Sequence, residues 1–363
     1  FRLLAALLLV LLSAAAFPAA PAAAATVPPG FTDTLVAYVP APTAMAFVNP
    51  NRLPMLIIDP RGEFVREGRF VKIPHWGGQT LADRFPGLEP LDVPLTPVPL
   101  DFLSASASVA APRDVILAQG AMAFRDSFEK CIRAKGDVAL DNLRQTVEGL
   151  LRQRDGNGEA VSLERIRDAV RSANGRGGGK NTIEAKLNEL TSLRLFSPLM
   201  APREFFAKRW VIGLNGAPDE AKRLVMFLVL DALASHLLSQ EDSPTDSAGN
   251  RMVRHLLIVD EAKDILVYKH GALSGLIRKS SAKGGVVMLL SQSPEDFDQE
   301  ADDFLAQMGT IAVFTTAAKS LRNLRNVLGR KVTPEEFSDS ELPRGMAWMK
   351  LPGKDPTKVI AWK

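Results

Sequence analysis

Cysteine is almost absent: one residue, Cys131, in 363. A single thiol makes no intramolecular disulfide, which excludes a disulfide-held scaffold and fits a reducing compartment. Histidine is scarce as well. His75, His236, His255 and His270 are scattered along the chain, so with Cys131 they offer no Cys/His metal-site spacing. Each is expected at the surface or near a helix end. Charge of one sign is also lacking. Lys and Arg number 44 against 41 Asp and Glu, a net +3, which is too little to argue for a nucleic-acid partner by itself. Finally, no Gly-x-x-x-x-Gly-Lys-Ser/Thr phosphate loop occurs. In that loop glycine amides cradle phosphates, the Lys reaches the outer ones and the hydroxyl holds magnesium. GRGGGKNT, residues 175–182, has Asn174 in place of the first Gly, Asn181 in place of the hydroxyl, and no apolar strand before it. It is expected to be a flexible, basic connection between helices.

What is present is a globular composition, 46% hydrophobic and 23% charged, long enough for one large domain or two modest ones. Residues 1–25, FRLLAALLLVLLSAAAFPAAPAAAA, join a basic residue, an apolar run and an A-x-A end. That is a secretory signal pattern, shorter than a membrane span. The chain opens on Phe1, as expected of a reading frame incomplete at its start. Residues 26–53 read as an unrelated or linker segment, Pro-rich with one short strand.

From Pro54 the character changes. PMLIIDPRGEF is an apolar strand breaking at an Asp-Pro-Arg-Gly turn, which puts Asp59 and Glu63 either in ordinary turn chemistry or at a site. Residues 85–102 carry five prolines and read as an extended connection ending in VPLDFL, with no regular element expected. Residues 54–110 thus form the first part of a core. Residues 111–207 show helical three- and four-residue spacing throughout and read as an all-helical insertion. Ser162 and Thr182 look like helix caps. Residues 208–363 alternate strands with helices: WVIGL, an apolar helix over residues 224–238, LLIVDEAK, GVVMLL, a helix over DQEADDFLAQM, the strand GTIAVFTT, a helix over AAKSLRNLRNVLG, and a terminal hairpin of GMAWMK and KVIAWK. That alternation predicts an α/β fold with a parallel sheet.

LLIVDEAK is the centre of the reading. Four apolar residues ending in Asp260 and Glu261 suit a strand covered on both faces whose carboxyl end opens onto a site. The following strand ends at Gln292, so an amide arrives after an acid pair. Asp260 would hold magnesium through water and Glu261 would polarise an attacking water. The bland alternative is an acid that caps the next helix.

LLIVDEAK, LIRKSSAKGGVVMLLSQSP, LIIDPRGEF, VPLDFL and WVIGLNGAPDEAKRLVMFLVLDAL together resemble the HerA/FtsK superfamily of hexameric P-loop DNA-pumping ATPases. The likeness is strongest to HerA-type and type IV secretion-type members and covers residues 54–363. It implies a RecA-like core, ATP and Mg2+ as cofactors, double-stranded DNA as partner, a homo-hexamer, and a nuclease or secretion partner. Asp260 then matches the Walker B magnesium residue, Glu261 the catalytic glutamate and Gln292 the sensor. Asp59 and Glu63 match the acidic turn after the strand that follows the P-loop helix. Arg278 matches a basic segment from which an arginine finger would reach a neighbouring subunit. DNA-facing residues are not separable from a solvated face: Lys319, Arg322 and Arg325 lie on one helix.

In this family the P-loop precedes the DPRGEF strand, whereas residues 26–47 here resemble the mature start of exported pyrroloquinoline-quinone-type sugar dehydrogenases. The expectation is a junction of two unrelated sequences near residues 48–54, with the first strand and P-loop missing. Such a cytoplasmic ATPase fragment would be inactive alone. The alternative is an exported protein, or a non-catalytic scaffold or subunit that keeps the fold.

Overall fold

A computed structural model describes residues 45–46, 53–62, 64–65, 87–104, 111–132, 137–174, 182–247, 251–299, 302–303, 308–314, 321–338, 341–343, 346–351 and 353–360. Its elements open with β1 (Met45–Ala46), β2 (Met55–Asp59), β3 (Leu88–Asp92) and β4 (Val98–Leu100). Four long helices follow, α1 (Arg113–Ile132), α2 (Asp137–Asn157), α3 (Leu163–Asn174) and α4 (Thr182–Ser192). Next come β5 (Phe196–Met200), the one-turn α5 (Pro202–Phe205), β6 (Arg209–Gly213) and α6 (Asp219–Leu238). After these lie β7 (Arg251–Met252), β8 (His255–Val259), α7 (Lys263–Leu266), α8 (Gly271–Lys279) and β9 (Gly285–Leu289). The chain ends with β10 (Asp298–Gln299), β11 (Asp302–Asp303), β12 (Ile311–Val313), α9 (Leu321–Leu328), β13 (Met346–Lys350) and β14 (Thr357–Ile360). They form two compact units, a larger one of Asn49–Asp242 with Arg254–Val287 and a smaller one of Phe1–Val48, Ser243–Val253 and Met288–Lys363.

The larger unit is organised on a sheet of order β3-β6-β2-β8-β9. The β3/β6, β6/β2 and β2/β8 pairs are parallel. β2, β6 and β8 are buried at every position, as continuous apolar strands covered on both faces must be. α6, apolar around its circumference, is likewise buried along most of its length. Asp219 and Glu220 occupy its first turn, where the helix dipole favours them.

Two stretches differ from expectation. The Pro-rich connection holds two strands, β3 and β4. Pro90 pairs opposite Val211 in β3, and β3 ends the sheet order, where a missing N–H is tolerated. The stretch expected to be helical throughout forms α1 to α4 and then turns to strand. β5 pairs parallel with β4 through Val98 and Phe196, and the Phe196 ring lies 4.7 Å from that of Phe102. A partner about a hundred residues away overrides local helical spacing there. The expected Ser162 cap is present, its Oγ accepting the Arg165 N–H at 3.3 Å.

In the smaller unit β12, β13 and β14 make an antiparallel sheet that contains the expected terminal hairpin. Leu324 and Leu328 of α9 join Val332, Phe337 and Leu342 in a core, against which Ile311, Val313, Met346 and Trp348 pack. The helix expected over DQEADDFLAQM is replaced at its start by β10 and β11, paired antiparallel. No helix among the described residues is long and apolar enough to cross a membrane.

Candidate functional site

β2 and β8 run in register, Ile58 opposite Val259. Asp59 and Asp260, the next residues, therefore leave the sheet at the same carboxyl edge on strands about 4.8 Å apart. The ladder continues one step further, since the Asp260 N–H donates to the Ile58 carbonyl at 3.0 Å. Beyond Asp260 the chain turns sharply. Glu261 has φ +46°, a left-handed conformation that costs a glutamate free energy and that clusters at functional sites. Its carbonyl accepts the Asp264 N–H at 2.9 Å and so opens the turn into α7. Asp260 and Glu261 remain only 6% and 9% exposed.

Asp59 is wholly buried, and its contacts explain the DPRGEF turn. Its carboxylate Oδ2 accepts the Phe64 N–H at 2.7 Å. Its carbonyl accepts the N–H groups of Gly62 at 3.1 Å and Leu214 at 3.0 Å. Gly62 has φ +63°, and a Cβ there would stand 2.8 Å from the Cβ of Asn215. Only glycine lets this turn close against the end of β6. The turn carries Arg61 over to the neighbouring strand end, where its guanidinium meets the Glu261 Oε1 at 3.1 Å. Asp264 belongs to the same electrostatic neighbourhood. Burial pushes its carboxyl above the usual carboxylate range and the Glu261 charge adds to this, while Arg61 and Lys222 pull it down.

The donor set fits magnesium of a particular kind. Among the described residues no group of three or more His, Cys, Asp or Glu is placed to enclose a metal. Mg2+ is typically held by one or two carboxylates while keeping several waters and taking phosphate oxygens. Asp260, 6% exposed at a strand end, is the residue that could supply one such carboxylate, whereas Asp59 is wholly buried with its Oδ2 on the Phe64 N–H.

The other expected site residues are distributed differently. Arg278 is exposed on the last turn of α8. β9 begins beside the beginning of β8, because the Arg254 and His255 N–H groups donate to the Gly284 carbonyl at 2.8 and 3.3 Å. Arg278 thus leads into the amino edge of the sheet, opposite to Asp260. Gln292 lies three residues beyond β9, exposed and within the smaller unit. Glu63, the glycine-rich residues 175–181 and Lys319 lie outside the described residues, as does all of the sugar-dehydrogenase-like stretch except β1. Arg322 and Arg325 are exposed on α9.

Sequence reasoning missed Arg61, although a cation inside a strand-ending Asp-Pro-Arg-Gly turn was the available signal. It also missed the burial of two histidines, one of which, His270, does stand at the N-cap position of α8 as expected of a helix end. His255 and His270, expected at the surface or at caps, are only 2% and 4% exposed. His255 begins a buried central strand. His270 precedes α8 without a side-chain cap and stacks on Phe227 with ring centroids 4.4 Å apart. Its Nε2 is 3.1 Å from the Ser127 Oγ and 3.3 Å from the Asp231 Oδ1, and that hydroxyl donates to the Asp231 Oδ2 at 2.6 Å. Ser and Asp thus converge on one and the same ring nitrogen. A Ser-His-Asp relay needs them on opposite nitrogens, so this cluster ties α1, α6 and the start of α8 together.

No protein-family model matches the sequence, and no curated protein sequence matches it. Solved structures do share its fold. VirB4 of Thermoanaerobacter pseudethanolicus superposes with a TM-score of 0.57 at 14% identity, over 85% of this chain and 81% of that one. The bacterial conjugative coupling protein TrwB, in an unbound form, superposes with a TM-score of 0.50 at 14% identity, over 84% of this chain and 77% of that one. TrwB is also known in complex with ADP and Mg2+, a structure with a TM-score of 0.49 at 13% identity, over 86% of each chain. The five-stranded sheet with its parallel core is the RecA-like P-loop NTPase fold of VirB4 and TrwB. The α/β fold with a parallel sheet, expected from the alternation of strands and helices, is the one observed.

Proposed function

We propose, from the fold shared with VirB4 and TrwB, that this chain carries the acidic half of an ATP–Mg2+ site in a HerA/FtsK-type motor that moves double-stranded DNA through a hexameric ring. The observation that carries the reading is the pairing of Asp59 and Asp260 at the carboxyl ends of adjacent parallel strands, with Glu261 turned out immediately beyond. Open α/β sheets do their chemistry at that edge. In this reading Asp260 holds magnesium through water and Glu261 polarises the attacking water, while Gln292 keeps only the sensor role that the family resemblance gives it. Asp59 shapes the turn beside them, and Glu63 is the second acid that the family resemblance assigns to that turn. Arg278, at the other edge of the sheet, acts only on the site of another subunit. Bound Mg2+–ATP supplies the phosphoanhydride and the charge neutralisation of its oxygens.

The sequence contains no Gly-Lys-Ser/Thr phosphate loop, whose amides and Lys provide most of the phosphate affinity. The chain alone is therefore expected to bind nucleotide weakly and to turn it over negligibly. Binding of a fluorescent ATP analogue and ATP turnover, measured on the full chain, test this. The expected result is weak, Mg2+-dependent binding reduced about tenfold or more by Asp260→Asn, a loss of charge-assisted contacts. Turnover should be no faster than that of Glu261→Gln. Binding indifferent to both Mg2+ and Asp260 overturns the site and leaves a scaffold that keeps the fold; clear turnover overturns the inactivity.

A further inference from the structure

We infer that Arg61 is a positioning residue that holds Glu261 on its guanidinium and gives it up when a polyphosphate competes for that guanidinium. The inference rests on the nucleotide-site reading above for the role of Glu261. Both partners are placed by backbone rather than by side-chain reach alone. The Asp59 carboxylate and the close approach of Gly62 to Asn215 set the turn that carries Arg61. The left-handed φ of Glu261 turns its side chain out of the strand line toward that turn. The resulting pair, 3.1 Å long, is asymmetric: the Arg61 side chain is 50% exposed and that of Glu261 11%.

That asymmetry gives the pair the properties of a latch. The inner partner, Glu261, has its Oε1 on the Arg61 cation, which occupies that oxygen. The outer partner presents the rest of its donor fork to solvent, and guanidinium forks match phosphate oxygens. Ion pairs with an exposed partner are worth roughly fivefold or less in an equilibrium constant. An anion of higher charge can therefore compete for Arg61.

The test uses the full chain labelled with 15N-arginine, without nucleotide, and inorganic pyrophosphate as the probe. The Arg61 side-chain N–H signal is assigned by its loss in Arg61→Gln, or by its loss in Arg61→Lys should that variant not fold. It is expected to differ between the unsubstituted chain and Glu261→Gln, and to move as pyrophosphate is added. Glu261→Gln should bind pyrophosphate at Arg61 about three- to fivefold more tightly, because the competing carboxylate charge is gone. Arg61→Lys should keep part of the affinity. An Arg61 signal unaffected by Glu261→Gln overturns the inference, as does pyrophosphate that leaves the signal in place or binds no more tightly to Glu261→Gln. The nucleotide reading fails separately: the pair responds as expected, yet Asp260→Asn leaves Mg2+-dependent nucleotide binding unchanged.

Discussion

Replacing His255 by Leu should flatten the acid side of the stability curve. The imidazole is 2% exposed at the start of β8. Burial, reinforced by the neighbouring charge of His236, pushes its pKa down to about 3, against a weak opposing hydrogen bond with the Phe206 backbone. A folded-state value below the unfolded one, near 6.5, means that on acidification the unfolded chain takes up a proton the native chain refuses. Stability is then present in full above pH 6.5 and falls as the pH drops toward 3. One such proton is worth about 1.4 kcal/mol per pH unit, so roughly 2 kcal/mol is lost by pH 5 and about 5 kcal/mol by pH 3 as a ceiling. The carboxyls of Asp101 and Asp264, raised chiefly by burial, work in the opposite direction near their own titration. The informative quantity is therefore the difference between the two proteins, in which those groups cancel. Urea unfolding of both at half-unit steps from pH 7.5 to 5 measures it. His255→Leu is expected to be offset by a constant above pH 6.5 and to converge on the unsubstituted chain by about 2 kcal/mol at pH 5. Parallel curves over that range refute the reasoning.

Two further substitutions probe the scaffold of the site. A Cβ on Gly213 would stand 2.1 Å from the Val65 Cγ2, so Gly213→Ala should cost about 1–3 kcal/mol by overpacking and shift the Arg61 side-chain signal by moving the DPRGEF turn; an unchanged urea midpoint contradicts this. Asp101, 5% exposed, is paired with Arg154 at 2.5 Å. Arg154→Met leaves its charge buried and unpaired, and is expected to cost about 3 kcal/mol at neutral pH. Part of that loss should return as the pH falls and Asp101 takes a proton, and a loss independent of pH rules out the uncompensated charge as its cause.

How much was legible in the sequence differs from element to element. β2, β6 and β8 are readable as uninterrupted apolar runs because strands buried on both faces need no alternation. α6 is readable because its apolar residues leave no polar face. The β4/β5 pair was not readable, since Val98 and Phe196 are joined by packing across the chain and not by any local pattern. β3 was hidden by Pro90 and the prolines that flank it; Pro90 is tolerated because tertiary order puts the strand at the end of the sheet.

The same division runs through the site. The sequence by itself determined that two acids follow one apolar strand and that an Asp-Pro-Arg-Gly turn ends another, since composition and local sterics are enough to end a strand. Only the tertiary structure decided that these two strands are neighbours in register, which brings Asp59 beside Asp260, sets Arg61 on Glu261 and leaves Arg278 at the far edge. Register and strand order are set by burial of faces and by hydrogen bonds between residues some two hundred positions apart, and no local spacing encodes them.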